Sequence, residues 1–170
     1  MLAAQVRNEL TASQQYLALA VWLDAADLPR LAARFYRQSL EERTHAMMII
    51  QYRLDNRLPV AIPAVDDVRN DFSSVHEVVE LALSQEKRVT EEIVSLARTA
   101  RADDDYIGEQ FVQWFLKEQV EEVASMSTLL TVVERAADNL FQIEDFLARE
   151  SDRCVAGTVP AAPRAAGGRT

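Results

Sequence analysis

Apolar residues recur at steps of three and four along most of this chain, with polar residues between them, which is the spacing of one helix face. The pattern predicts a first helix from about Ala3 to Asp24 and a second from about Pro29 to Arg57. Asp27 is placed to cap the second, and Pro29 suits a first turn, where its missing N–H would be unpaired in any case. Periodicity lapses from Leu58 to Ser74, where Pro59, Pro63, Asp66, Asp67, Asn70 and Asp71 mark a long connection. Ser74 with Glu77 three residues on reads as a capping box, opening a third helix expected to reach about Ala102. Asp103, Asp104 and Asp105 break it, and their charge favours the start of a fourth helix, which continues to about Ala136. A shorter fifth helix fits Asn139 to Glu150. The tail beyond, 151–170, is rich in Ala, Pro, Gly and Arg and reads as flexible, leaving one domain over 1–150.

Short link, long link, short link sets the topology. The first two helices must lie antiparallel, and so must the third and fourth. The middle connection can run the length of the bundle, roughly 45 Å for a 30-residue helix. The expected architecture is all-α, a four-helix bundle with one long crossover plus a short fifth C-terminal helix.

The apolar seams are interrupted by acids. On the second helix the inward line passes Phe35, Gln38, Glu42, His45, Ile49 and Tyr52. On the third it runs Val79, Ala82, Glu86, Val89 and Ile93; on the fourth, Phe115, Gln119, Glu122, Met126 and Leu129. The first contributes Val6, Glu9, Ser13 and Tyr16. Glu86 lies about 16 residues before the third helix ends and Glu122 about 16 after the fourth begins, roughly 24 Å from the turn in each case, so they meet.

Any one of these residues alone reads as a misjudged solvated acid or a hydrogen-bonded core histidine. Four coincident acids with one inward histidine read differently. Burying an ionised carboxylate costs several kcal/mol, and four together repel. They either share protons or take up cations. Four carboxylates and one imidazole suit about two divalent ions, with oxygen-rich ligation favouring iron or manganese over thiolate zinc.

Composition agrees and excludes. Hydrophobic residues make up 49% of the 170, enough for a core, while 4 Gly and 5 Pro leave few turns and so favour long helices. A formal net charge of −9 argues against nucleic acid as a partner. The single Cys154 supplies neither an internal disulfide nor a thiolate zinc site. No basic segment leads an apolar run and no stretch approaches about 18 apolar residues, so neither a signal peptide nor a membrane span is expected, and a cytoplasmic protein is the default.

At this point the chain resembles a known family, the non-haem bacterial ferritins, particularly the actinobacterial type. The resemblance rests on Glu9 with Tyr16 seven residues on, on Glu41-Glu42-Arg43-Thr44-His45, on Ser84-Gln85-Glu86, and on Trp114 through Glu122, the most specific of the four. It implies a ferritin-like bundle in which Glu9, Glu42 and His45 bind a first iron. Glu42 would bridge to a second, completed by Glu86 and Glu122. Gln119 would stand beside the pair, and Tyr16 at its edge as an electron donor. Glu41, Glu118 and Glu121, with Glu122, resemble the third iron site of bacterial ferritins, and Glu109 corresponds to an acid lining three-fold pores.

The resemblance implies a ferroxidase that oxidises Fe(II) with dioxygen or hydrogen peroxide and stores the ferric product in a homo-oligomeric shell of 24 copies. No haem is expected, because Arg43 stands where bacterioferritins place an axial methionine. Gln119 and Glu122 replace their second Glu-x-x-His. The rival reading is a di-iron oxidase or oxygenase acting on an organic substrate. It is disfavoured by the fifth helix and by the extra acids Glu41, Glu118 and Glu121.

Overall fold

A computed structural model describes residues 1–137, 139–151 and 162–167. Five helices follow in order: α1 (Leu2–Ala25), α2 (Pro29–Asp55), α3 (Val75–Ala102), α4 (Tyr106–Ala136) and α5 (Leu140–Ser151). The all-α bundle with one long crossover and a short fifth helix is therefore the fold observed. Packing is densest within the hairpins α1–α2 and α3–α4, as their short links require.

The helix starts follow local chemistry. Ser74 caps α3, its hydroxyl accepting from the Glu77 N–H at 3.2 Å. The returning Glu77 carboxylate takes the N–H of Ser73, one residue before the cap, at 2.7 Å. Asp105 caps α4 by accepting from the Gly108 N–H at 2.9 Å. A Cβ at Gly108 would sit 2.2 Å from an Asp105 carboxylate oxygen, so any larger residue there would make that side chain shift.

The second helix starts otherwise than expected. Asp27 does not cap it; Leu28 holds the cap position and offers no side-chain bond. Asp27 instead takes a left-handed conformation, φ 59°, while the Leu28 N–H reaches back to the Leu23 carbonyl at 3.1 Å and closes α1. A residue committed to reversing the chain there cannot also aim its carboxylate at the next helix. The N–H groups of Arg30 and Leu31 are capped from a distance by Glu144 of α5, at 3.0 Å each. That bond, with buried Ile143 and Leu147, docks a helix too short to hold alone. The end of α2 falls at Asp55, two residues before the expected Arg57, because Arg57 adopts φ 55° and Leu58 bonds back to Arg53.

The crossover runs beside α1 in the same direction. The Asp66 N–H donates to Thr11 Oγ1, and the Gln15 amide pairs with both backbone groups of Arg69 at 2.8 Å. Phe72 meets Trp22 edge-on. Beyond α5, residues 152–161 and 168–170 of the expected tail lie outside the described residues. Residues 162–167 rest against α2, where the Ala166 N–H donates to the Met47 carbonyl at 3.0 Å.

Two apolar clusters fill the interior. One gathers Leu19, Leu23, Leu31, Phe35, Val78, Val79, Met126 and Leu129; the other gathers Val6, Ile49, Val89, Ile93, Val112 and Phe115. Each of α1 to α4 crosses from one cluster to the other through a polar residue, and those residues form the layer between, while α5 packs on the first cluster alone. Among the described residues no helix is long and apolar enough to cross a membrane.

Candidate metal centre

The layer is built from one or two positions per helix. Glu42 and His45 share a face of α2 because residues three apart are neighbours on a helix, and Gln119 and Glu122 do the same on α4. Glu9 comes from α1 and Glu86 from α3. Glu9, Glu42 and Glu86 are fully buried, and His45 and Gln119 nearly so. Glu122 is only partly buried.

The α1–α2 half converges. Glu9, Glu42 and His45 each offer a ligand atom within 4.8 Å of the other two. His45 Nδ1 lies 3.4 Å from Glu42 Oε2, and its ring is held edge-on to Trp114 and Phe115. Glu9 Oε1 accepts from Gln5 Nε2 at 2.9 Å, while Glu9 Oε2 is buried with no partner. A carboxylate oxygen sealed from water with no N–H or hydroxyl donor is costly unless a cation meets it or a proton is shared with the neighbouring Glu42.

The α3–α4 half is tied up in hydrogen bonds. Tyr16, fully buried, donates its hydroxyl to Glu86 Oε1. Gln119 Nε2 donates to Glu86 Oε2 at 3.4 Å, and the Thr90 hydroxyl lies 2.8 Å from both Gln119 Oε1 and the Glu86 backbone carbonyl, which compete for its one proton. Gln38 Nε2 reaches Glu122 Oε2 at 2.9 Å and Glu42 Oε1 at 3.5 Å, linking the halves.

Burial sets the electrostatics. It drives the Glu9 and Glu42 carboxyls well above the carboxylate range, assisted for Glu9 by the charge of Glu42 and for Glu42 by that of Glu86. Glu86 is raised by burial against the hydrogen bonds of Tyr16 and Gln119. Glu122 is pushed up to about 7, by burial first and then by Glu86 and Glu41. Without a cation these acids hold their protons more tightly than free carboxyls do. A divalent ion would displace them.

The other acids are not gathered in this way. Among the described residues, Glu9, Glu42 and His45 form the one group of three with this spacing. Glu41 and Glu121 are exposed, and with Glu122 they line a cavity of about 290 Å³ shared with Arg34, Arg37 and Ser125. Glu118, partly buried, is not part of that lining. Glu109 is held by Arg101, whose Nε lies 2.9 Å away.

Two amides and one hydroxyl stand beside the layer with no role assigned to them from the sequence: Gln5, Gln38 and Thr90, whose hydroxyl meets Gln119. Gln5 stands four residues before Glu9, and Gln38 four before Glu42. That repeated spacing, which stacks an amide one turn from each acid, was the available signal.

Comparison with known proteins adds an independent line. The ferritin-like domain family matches residues 1–136, which hold every residue of the layer. The chain is 58% identical over 164 residues to Ferritin BfrB of Mycolicibacterium smegmatis, covering 96% of this chain and 90% of that protein. It is 36% identical over 135 residues to the bacterial non-heme ferritin of Staphylococcus aureus, covering 79% and 81%. Among solved structures, an open pore ferritin from Archaeoglobus fulgidus superposes with TM-score 0.83 at 25% identity, covering 86% of this chain and 92% of that one.

Proposed function

The chain belongs to the ferritin family, as a bacterial ferritin, and on that premise we propose that it stores iron by oxidising Fe(II) to Fe(III) at the buried carboxylate layer. The observation that carries this reading is the convergence of Glu9, Glu42 and His45, with one Glu9 oxygen buried and unpartnered. Three anionic or neutral O and N donors, with no thiolate, suit ferrous iron. The first ferrous ion binds to Glu9, Glu42 and His45. The second binds to Glu86 and Glu122, with Glu42 bridging the two.

Each ferrous ion gives one electron to dioxygen, which leaves as hydrogen peroxide after taking up two protons, or peroxide is reduced to water in the same way. The protein's part is to fix the ligands, exclude bulk water and favour the trivalent product with a hard, anionic oxygen set. The protons displaced from the acids as iron binds are available at the site. Gln119 is placed to hydrogen-bond the oxidant, and Tyr16, whose hydroxyl donates to Glu86, borders the layer on the α1 side. Glu41, Glu118 and Glu121, with Glu122, are the candidates for a third iron site, of which Glu41, Glu121 and Glu122 line one cavity.

Storage requires an enclosed volume, so the chain assembles with copies of itself, as a shell of 24, in the cytoplasm. Exposed Tyr106, Ile107 and Phe141, the last 86% exposed, support subunit contacts. The cavity beside the layer is lined by charged and polar residues, which argues against an organic substrate there. Aerobic ferrous loading with light-scattering mass measurement tests storage. Shells that gain iron far beyond the site's capacity are expected; protein that stays small, or stops at the site's own stoichiometry, contradicts the reading.

A further inference from the structure

Gln5 joins the layer to a carboxylate that lies outside it. Its side chain is 3% exposed, and its Nε2 donates to Glu9 Oε1 at 2.9 Å and to Glu92 Oε2, from α3, at 3.4 Å. Glu92 is itself anchored: Asn8 Nδ2 donates to the same oxygen at 2.9 Å, and Arg88 Nε lies 3.7 Å from the other. Glu92 is partly exposed and lines an outer cavity of about 240 Å³, away from His45.

We propose that Gln5 and Glu92 are positioning residues that make Glu9 a one-oxygen ligand, holding Oε1 so that Oε2 faces the metal. A primary amide can turn end for end. Here both amide protons have carboxylate acceptors, whereas the flipped amide would set its carbonyl against two acids. Glu92 therefore fixes which end of Gln5 meets Glu9. With Oε1 occupied, Oε2 is the oxygen left without a partner, and it belongs to the residue that shares the 4.8 Å group with Glu42 and His45. The arrangement spans the bundle: α3 orients an α1 amide, which orients an α1 ligand toward α2. Without it, Glu9 is free to swing or to bind through both oxygens, changing affinity and ligand geometry together.

This inference rests on the proposed metal site, and anaerobic Co(II) titration separates the two. Cobalt's visible absorption reports the number and geometry of its ligands, and its binding needs no turnover. If the unaltered protein binds no Co(II), the metal site fails before the positioning claim is reached. Given binding, Gln5→Met should weaken the first Co(II) about tenfold to a hundredfold and shift its spectrum. Glu92→Leu should give a smaller loss with the same spectral shift, while Glu92→Gln, whose carbonyl can still accept from Gln5, should restore both. Thermal melts of the metal-free variants identify any folding loss. Should Gln5→Met not fold, the Glu92→Leu and Glu92→Gln pair decides, since that side chain reaches solvent. First-site affinity and spectrum unchanged in Glu92→Leu, or equally altered in Leu and Gln variants, would overturn the proposal.

Discussion

The α1–α2 hairpin and the α3–α4 hairpin contribute unequal halves of one site. From the first come Glu9, Glu42 and His45, converging within 4.8 Å, with an imidazole and an unpartnered oxygen. From the second come Glu86 and Glu122, whose oxygens are engaged by Tyr16, Gln119 and Gln38. An ion entering the first half replaces protons. On the proposed function, an ion entering the second would also have to displace hydrogen bonds and is expected to bind later and more weakly. Both halves meet at Glu42, which touches His45 on one side and shares Gln38 with Glu122 on the other.

Removing the shared residue should have the largest effect. Glu42→Ala is expected to slow ferrous oxidation by about a hundredfold or more, since loss of mere supporting bonds at metal sites already reaches that range. The bundle should remain folded, and the metal-free form should melt no lower, because a buried acid has been removed. Rapid-mixing absorbance together with a thermal melt checks both halves of that statement.

Glu122→Ala should separate the hairpins. Anaerobic Co(II) titration is expected to fall from about two ions per chain to about one, with the first affinity unchanged. Weakening of the first ion instead would mean that the two halves are not independent.

Acidity should act on the metal-free protein in a definite direction. Glu122 has its folded value raised from 4.5 to about 7, so between those values the folded chain holds more protons than the unfolded one. Its favourable contribution is complete below about pH 4.5, and it is lost as pH rises through about 7, by at most about 3 kcal/mol. Denaturant melts of chelator-treated protein at about pH 5 and about pH 8 should show the lower stability at the higher pH. Saturating divalent metal should reverse the trend, because it binds the deprotonated acids.

The smallest effect is expected at Tyr16. Tyr16→Phe removes the bond that occupies Glu86 Oε1. It should cost the metal-free bundle about 1 kcal/mol while tightening the second Co(II) step a few-fold. A weaker second step would show that the hydroxyl assists the ligand rather than competing with the ion.

The helices themselves were legible because a single face stays apolar for many turns, and the layer was legible because Glu42, Glu86 and Glu122 fall on those faces. The helix ends were less so. Asp27, Arg57 and Asp104 each close a helix in the left-handed conformation that glycine usually marks, and none is glycine. The cap of α2 was beyond reach, since Glu144 lies 114 residues from the Arg30 N–H that it accepts. The Gln5 amide that bonds Glu9 also meets Glu92, a residue on another helix with no periodic relation to it. Periodicity places a residue on a face; it does not say which partner from another element meets it there.

On the proposed function, this layer oxidises ferrous iron in pairs. Rapid mixing of the metal-free protein with ferrous ion in aerated buffer, from below one to well above two ions per chain, tests it most directly. The fast rise in ferric absorbance is expected to grow with added iron until about two ions per chain and then stop growing, with slower uptake beyond. An amplitude that keeps rising without a break, or a fast phase that survives saturation of the layer with zinc, would contradict the account.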